Sequence, residues 1–144
     1  MRHAKKGRKL NRTSSHRKAL LSNLACSLVM HKNIKTTDAK AKELKPFIER
    51  LVSYAKKNDL HGRRLIQKNI KGRLSKNIAN VLIHDIAPLY KDRKGGYTRI
   101  IKLDNRKNDN AQISIIEFVD LEIVNKDESE KKSNKNKETI SEEK

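Results

Sequence analysis

The 144-residue sequence is poor in the residue types that mark several common protein classes. Its one cysteine, Cys26, excludes an internal disulfide and suits a reducing cytoplasm. No apolar run reaches the roughly 18 residues that a membrane span requires, so we expect no transmembrane helix. The basic N-terminus is not followed directly by an apolar segment of the signal-peptide type, so we expect no secretion signal.

Acidic residues are missing from the start of the chain, where Asp38 is the first of them. Before it come ten Lys or Arg, eight of them within the first 18 positions. The formal net charge is +18, and all of it lies in residues 1–124, because Lys and acidic residues balance in the tail 125–144. Charge of this size calls for a polyanionic partner. The gradient predicts that residues 1–12 form an extended basic arm that lies on phosphates.

Aromatic residues are also scarce, with no Trp, two Phe and three Tyr. Proteins that read single strands usually stack bases on exposed rings, and that platform is missing. Phe47 and Phe118 fall on predicted core faces. We therefore expect recognition of a folded nucleic acid by shape and backbone. Tyr97 is the one aromatic residue that is a candidate for RNA contact. The alternative is that its ring packs at the sheet edge.

Apolar spacing predicts four helices. Apolar residues recur at three- and four-residue intervals in segments that cover roughly 13–30, 38–57, 60–70 and 75–87. Pro46 interrupts the second segment, where we expect a kink or a restarted helix. Residues able to cap these helices precede each of them: Thr13, Ser14 or Ser15, then Thr37 or Asp38, then Asn58 or Asp59, and finally Ser75.

Three β-branched segments, 33–37, 97–103 and 111–119, predict strands, and the last two form a hairpin across a polar loop. Segment 111–119 is apolar on both faces and is predicted to be central. The sequence thus predicts an α+β domain over residues 13–124, with about four helices on a small mixed sheet that ends in a C-terminal hairpin. The tail 125–144 lacks residues for a core and is predicted to be disordered.

The arm and the start of the first helix hold the main candidates for phosphate contact. Arg17 and Lys18 lie in the first helical turn, where the helix dipole disfavours cations by about 0.3–1 kcal/mol each unless an anion docks there. The alternatives are that the charges of the arm are only solvated, that the arm is a targeting peptide, or that the hydroxyl residues only cap the helix. Two further basic clusters lie in the folded part. The candidate RNA-binding residues from this reasoning are Arg2, His3, Lys5, Lys6, Arg8, Lys9, Arg12, Thr13, Ser14, His16, Arg17, Lys18, Arg63, Arg64, Arg93 and Lys94.

Catalytic patterns are not evident in the sequence. Cys26 lies near an apolar stripe, which favours a core role over a nucleophile. The five histidines show no paired metal-ligand spacing, and Gly95-Gly96 lacks the rest of a P-loop. Asp38, Glu43 and Glu49 fit helix capping and solvated faces. We therefore expect neither an enzyme nor a bound cofactor or metal.

Several segments resemble the bacterial large-subunit ribosomal protein family numbered seventeen. The first is Met1-Arg2-His3 with Gly7-Arg8-Lys9-Leu10, followed by Arg12-Thr13-Ser14-Ser15-His16-Arg17-Lys18-Ala19-Leu20-Leu21. The others are Ile34-Lys35-Thr36-Thr37 with Ala39-Lys40-Ala41-Lys42-Glu43-Leu44, and Gly95-Gly96-Tyr97-Thr98-Arg99-Ile100. These segments occur in the family's order over residues 1–124, and the charged tail departs from its pattern.

The resemblance implies a structural, non-enzymatic protein of the ribosome in the cytoplasm. Its partners would be large-subunit ribosomal RNA, near the nascent-chain exit region, and neighbouring large-subunit proteins, with no membrane and no small-molecule substrate. The resemblance implies RNA contacts at the matching positions of the arm and first helix, which are Arg2, His3, Arg8, Lys9, Arg12, Thr13, Ser14, His16, Arg17 and Lys18. Lys35, Tyr97 and Arg99 lie in the other matching segments and are further candidate RNA-binding residues.

Three other functions remain open at the level of sequence. A free nucleic-acid binder, such as a nucleoid or RNA-chaperone factor, explains the charge equally well, but it would bind DNA and RNA alike. A small enzyme acting on RNA would need a carboxylate or histidine cluster. A membrane-surface protein would use the apolar stripe of the first helix, which fits a domain core better.

Overall fold

The computed structural model describes residues 7–121, so the predicted disorder of the tail 125–144 concerns residues outside the described ones. The chain forms, in order, α1 (Ser14–His31), β1 (Asn33–Thr37), α2 (Asp38–Lys56), α3 (Leu60–Asn69), α4 (Ser75–Val81), β2 (Thr98–Lys102) and β3 (Ile113–Phe118). Four helices and a small sheet confirm the predicted α+β class.

Helix α2 runs along the core because its apolar residues share one face. All six members of the predicted stripe are buried, and they pack against the other helices and the sheet. Pro46 is exposed and lies inside a continuous helix, so the expected restart does not occur. Apolar packing on both sides of Pro46 offsets the hydrogen bond that proline removes. The buried stripe is Ala41, Leu44, Ile48, Leu51, Val52 and Ala55.

Helix α1 packs on the core only through its C-terminal part. Ala25, Leu28 and Val29 are fully buried, whereas Leu20 and Leu21 are half-buried. The first two turns therefore lie at the surface of the domain, which leaves the N-terminus of α1 accessible.

Helix α4 departs from the predicted regular helix. Ser75 is its first helical residue rather than its cap, because Leu74 already has helical angles (φ −80°, ψ −5°). After Val81 the chain continues as a π-helical turn, Leu82–Ile86, and a 3-10 turn, Ala87–Tyr90, which contains Pro88. The wider π turn brings Leu82, Ile83 and Ile86 together into the core.

The sheet has the order β1-β3-β2, with β3 in the centre as predicted. It is antiparallel in both pairs among the described strands, so the expectation of a mixed sheet is wrong. The strands β1 and β2 run in the same direction, but β3 separates them and opposes both. Alternation along the strands turns Ile34, Ile100 and Ile116 toward the helices. Lys35, Ile101 and Ile115 lie on the other face, which we call the outer face.

Candidate nucleic-acid interface

The N-terminus of α1 is open to an anion. Thr13 is the N-cap residue, but its hydroxyl makes no capping bond within the described chain and lies 3.4 Å from the hydroxyl of Ser15. The first helical bond runs from the Arg17 N–H to the Thr13 carbonyl, so the amides of residues 14–16 have no partner within the helix. The first turn of α1 holds no acidic residue. Free N–H groups, hydroxyls and the helix dipole together favour a phosphate at this position.

A tight turn in the arm places its cations beside this helix start. Leu10 (φ 54°) and Asn11 (φ 49°) both have left-handed angles, and the Arg12 N–H donates to the Lys9 carbonyl over 3.1 Å. This part of the arm is therefore folded back rather than extended as predicted. Asn tolerates left-handed angles well, whereas Leu adopts them at a cost of about 1–2 kcal/mol.

Arginine side chains hold the turn in place. The Arg12 Nη1 donates to the Leu10 carbonyl over 3.1 Å, and the Arg17 Nη1 approaches the Arg12 carbonyl at 3.4 Å. The Arg12 Nε is buried and lacks a partner within residues 7–121. The Arg17 guanidinium thus links α1 to the arm, and the Arg12 guanidinium supports the turn within the arm. Lys9 and Lys18 are exposed.

The described beginning of the arm lies against α2. The Arg8 Nε is 3.8 Å from the Glu43 Oε1, and the Arg8 side chain remains 56% exposed. Such an exposed pair contributes little to stability, so Arg8 stays available for a phosphate. Thr13, Ser14 and His16 are also exposed. The predicted candidates Arg2, His3, Lys5 and Lys6 lie outside the described residues.

The basic candidates of the folded part are spread over several elements. Lys35 on β1 and Arg99 on β2 share the outer face of the sheet, and the Arg99 Nε is 2.5 Å from the Glu117 Oε1. The Arg93 Nη1 is 2.7 Å from the Asp120 Oδ2. Both arginines are thus partly neutralised by carboxylates, whereas Lys35 is exposed and pairs with no acid within residues 7–121.

Three other basic candidates have no carboxylate partner within residues 7–121. They are Arg63 and Arg64 on α3 and Lys94 before β2. The Arg63 guanidinium donates to the Asn80 side chain and thereby joins α3 to α4. Arg64 and Lys94 are exposed. No hydrogen bond or ion pair within residues 7–121 joins these groups to the arm. The arm and the start of α1 therefore remain the main candidate interface.

Tyr97 lies in the core rather than on the surface. Its side chain is only 3% exposed, and its ring centroid is 5.2 Å from that of Tyr90. The Lys56 Nζ lies 5.3 Å from the Tyr97 ring centroid and 3.3 Å from its hydroxyl. Burial of the ring leaves no face for a base to stack on, which favours the packing role.

Sequence reasoning missed a basic cleft at one end of the sheet. Lys40, Arg106 and Lys107 line this cleft together with Lys35, and its volume is about 680 Å³. The polar sequence of the loop between β2 and β3 indicated that the loop is exposed. It did not indicate that the loop lies opposite β1. Only the antiparallel pairing of β1 with β3 brings these residues together.

The described residues give little support to a metal site, a reactive thiol or a membrane-spanning helix. Within residues 7–121, no group of three or more His, Cys, Asp or Glu is placed to hold a metal ion. Burial raises the pKa of the Cys26 thiol, which disfavours the reactive thiolate. None of the described helices is long and apolar enough to cross a membrane.

Comparison with known proteins agrees with the resemblance found in the sequence. The family model described as "Ribosomal protein L17" matches residues 20–119. Two similar relatives are named "Large ribosomal subunit protein bL17" and come from Rickettsia bellii, strains OSU 85-389 and RML369-C. Each is 57% identical over 123 residues, which cover 85% of this chain and 84% of the relative. This chain therefore belongs to the ribosomal protein L17 family.

Proposed function

We propose that the chain is a structural constituent of the large ribosomal subunit and that it binds folded ribosomal RNA, mainly through phosphates. The family is structural rather than enzymatic, which confirms the prediction that the chain is not an enzyme. Its site of action is then the ribosome, in the cytoplasm. Neighbouring large-subunit proteins are further partners, and resemblance to the family favours a position near the nascent-chain exit region.

The N-terminus of α1 is the observation that carries the RNA-binding proposal. Uncapped amides, the three hydroxyl residues Thr13, Ser14 and Ser15, and the cations Arg17 and Lys18 follow one another along the chain there, with no acid in the first turn. In an isolated helix this placement of cations is unfavourable, since it opposes the helix dipole. A phosphate group reverses the sign of that interaction because it accepts hydrogen bonds from the amides and neutralises both side chains.

Phosphate contact is tested by the salt dependence of RNA binding. The variant Lys9→Gln/Arg17→Gln/Lys18→Gln removes three candidate contacts. It also removes the 3.4 Å contact of Arg17 with the Arg12 carbonyl, but it keeps the two bonds that Arg12 donates within the turn. Each lost phosphate contact lowers the log–log salt slope by about 0.7–0.9, so the slope should become shallower by about 2 to 3. Binding to a large-subunit ribosomal RNA transcript is measured between 50 and 200 mM salt.

A matched variant controls for the loss of charge. Lys57, Lys68 and Lys76 are exposed and lie outside the candidate interface, so their triple change to Gln has the same net charge. The control should keep the slope of the unchanged protein. Equal slopes for both triple variants would refute phosphate contact at α1, and equal affinity for duplex DNA would favour a free nucleic-acid binder instead.

A further inference from the structure

The cleft at the end of the sheet has a defined shape and lies apart from the start of α1. It opens between the junction of β1 with α2 on one side and the loop between β2 and β3 on the other. Its volume of about 680 Å³ lies in the range of small-molecule sites in proteins. We call it the sheet-end cleft, and its principal lining residues are Lys35, Lys40, Leu103, Asn105, Lys107 and Ile113.

The loop that forms one wall of the cleft is held by an internal clamp. Arg106 binds Asp109 through two parallel bonds, with Nε 2.8 Å from Oδ1 and Nη2 2.6 Å from Oδ2. The Arg106 N–H also donates to the Ala111 carbonyl over 3.0 Å, and the Asn110 N–H donates to the Arg106 carbonyl over 2.9 Å. The wall is thus shaped before a ligand arrives, which reduces the entropy lost on binding.

The lining of the cleft combines three kinds of contact. Lys35, Lys40 and Lys107 supply positive charge, and no acidic side chain within residues 7–121 pairs with any of them. Leu103, which is half-buried, and Ile113, which is 8% exposed, supply a small apolar surface on the outer face of the sheet. Threonine hydroxyls and the Asn105 amide add neutral hydrogen-bonding groups. Asp104 is the one acid in the lining, so the charge remains positive.

The cleft also lies close to the point where the arm contacts α2. Lys40 and Glu43 are three residues apart on α2 and therefore neighbour each other on its surface. Glu43 contacts Arg8 of the arm, and a Cβ at Gly7 would lie 3.5 Å from the Glu43 Oε2. The residue of α2 that contacts the arm thus lies about one helical turn, roughly 5.4 Å, from a lysine that lines the cleft.

We propose that the sheet-end cleft binds one unpaired nucleotide of the ribosomal RNA that the arm contacts. The lysines bind its flanking phosphates, while Leu103 and Ile113 support the base and Asn105 reaches its edge. An unpaired nucleotide brings an anion, an apolar ring face and a polar edge, which are the three features that the lining provides. This inference rests on the proposed function, because the nucleotide belongs to the same RNA.

Two variants of the full-length chain test the cleft. Lys35→Gln/Lys40→Gln/Lys107→Gln removes its unpaired cations, and Leu103→Trp fills it with a ring. Their affinity for the large-subunit ribosomal RNA transcript is compared with that of Lys57→Gln/Lys68→Gln/Lys76→Gln. We expect about tenfold weaker binding for the lysine variant than for this control, and a salt slope shallower by about 1.5, since two phosphates are lost.

Chemical probing of the bound RNA locates the nucleotide. One unpaired nucleotide should be protected from base modification by the unchanged protein, and it should become reactive again with both cleft variants. Circular dichroism and urea unfolding confirm that each variant is folded. If Leu103→Trp does not fold, the lysine variant alone decides the outcome, because its substituted side chains are not buried.

Three results would overturn the inference, and they differ from failure of the proposed function. One is a lysine variant that binds like its control, and another is a protection pattern that neither variant changes. The third is competition by free nucleoside monophosphates, which would make the cleft a site for a soluble nucleotide. If the unchanged protein does not bind the transcript at all, the proposed function itself fails.

Discussion

The substitution Gly62→Ala adds a single methyl group and tests how closely α3 packs against α2. Helix α3 carries the basic pair Arg63 and Arg64. A Cβ at Gly62 would lie 2.5 Å from the carbonyl oxygen of Tyr54 and 2.7 Å from the Asp59 Oδ1. The Tyr54 carbonyl belongs to the backbone of α2 and cannot rotate away. The Asp59 side chain can rotate, but it then loses the capping bond of 2.5 Å that it accepts from the Gly62 N–H.

These contacts set the expected magnitude for Gly62→Ala. In an open helix, alanine is more stable than glycine by about 1 kcal/mol. Here, overpacking costs about 1–3 kcal/mol, and loss of the cap costs about 1 kcal/mol. Overpacking and the lost cap together outweigh the higher helix propensity of alanine. The free energy of unfolding should therefore fall by about 1–3 kcal/mol.

Urea unfolding followed by circular dichroism measures this change, with Gly95→Ala as the matched control. A Cβ at Gly95 meets no atom within 4 Å. The control should therefore be neutral or stabilise the fold by about 0.4–1 kcal/mol, because alanine restricts the unfolded chain. If Gly62→Ala is as stable as the control, α3 does not approach α2 as described, and the argument fails.

Three further predictions concern single groups. The Arg106 guanidinium lowers the pKa of Asp109 to about 2, so Arg106→Gln should return that pKa toward 3.8 in an NMR titration; an unchanged pKa would exclude the clamp. The Lys42 ammonium lowers the pKa of Asp38, so the ionised carboxylate stabilises the fold above its unfolded pKa, and this contribution is lost as pH falls through the folded pKa. Urea unfolding between about pH 5 and 2.5 should consequently depend less on pH in Asp38→Asn, and equal dependence would contradict this assignment. Tyr97→Phe should bind ribosomal RNA within about twofold of the unchanged protein, because the ring is buried; a tenfold loss would place its hydroxyl at the RNA.

Local patterns predicted the elements that depend on neighbouring residues. The stripe of α2 and the Asp59 cap of α3 follow from spacing and side-chain chemistry along the chain, and both are confirmed. Pro46 was expected to kink α2 or to restart it, because its local effect is unfavourable, and the restart does not occur. Packing of the stripe on both sides of Pro46 outweighs that effect, and no local rule includes packing.

Features that depend on distant residues could not be predicted in the same way. Tyr97 lies near two glycines and Arg99 in sequence, which left RNA contact and packing at the sheet edge both open. Tyr90 and Lys56 cover its ring, which favours packing. The sheet-end cleft joins residues near position 40 to residues near position 106. Their proximity follows from the register of β1 with β3, which the sequence does not reveal without the fold.

The most direct test of ribosomal function is sedimentation of a cell lysate through a sucrose gradient in about 0.5 M salt, with this chain detected in each fraction. Salt at this concentration strips cations that are held only by loose electrostatic contact. We predict that the chain migrates with the large ribosomal subunit. Its release to the top of the gradient would contradict a structural role in that subunit and would favour a free nucleic-acid binder.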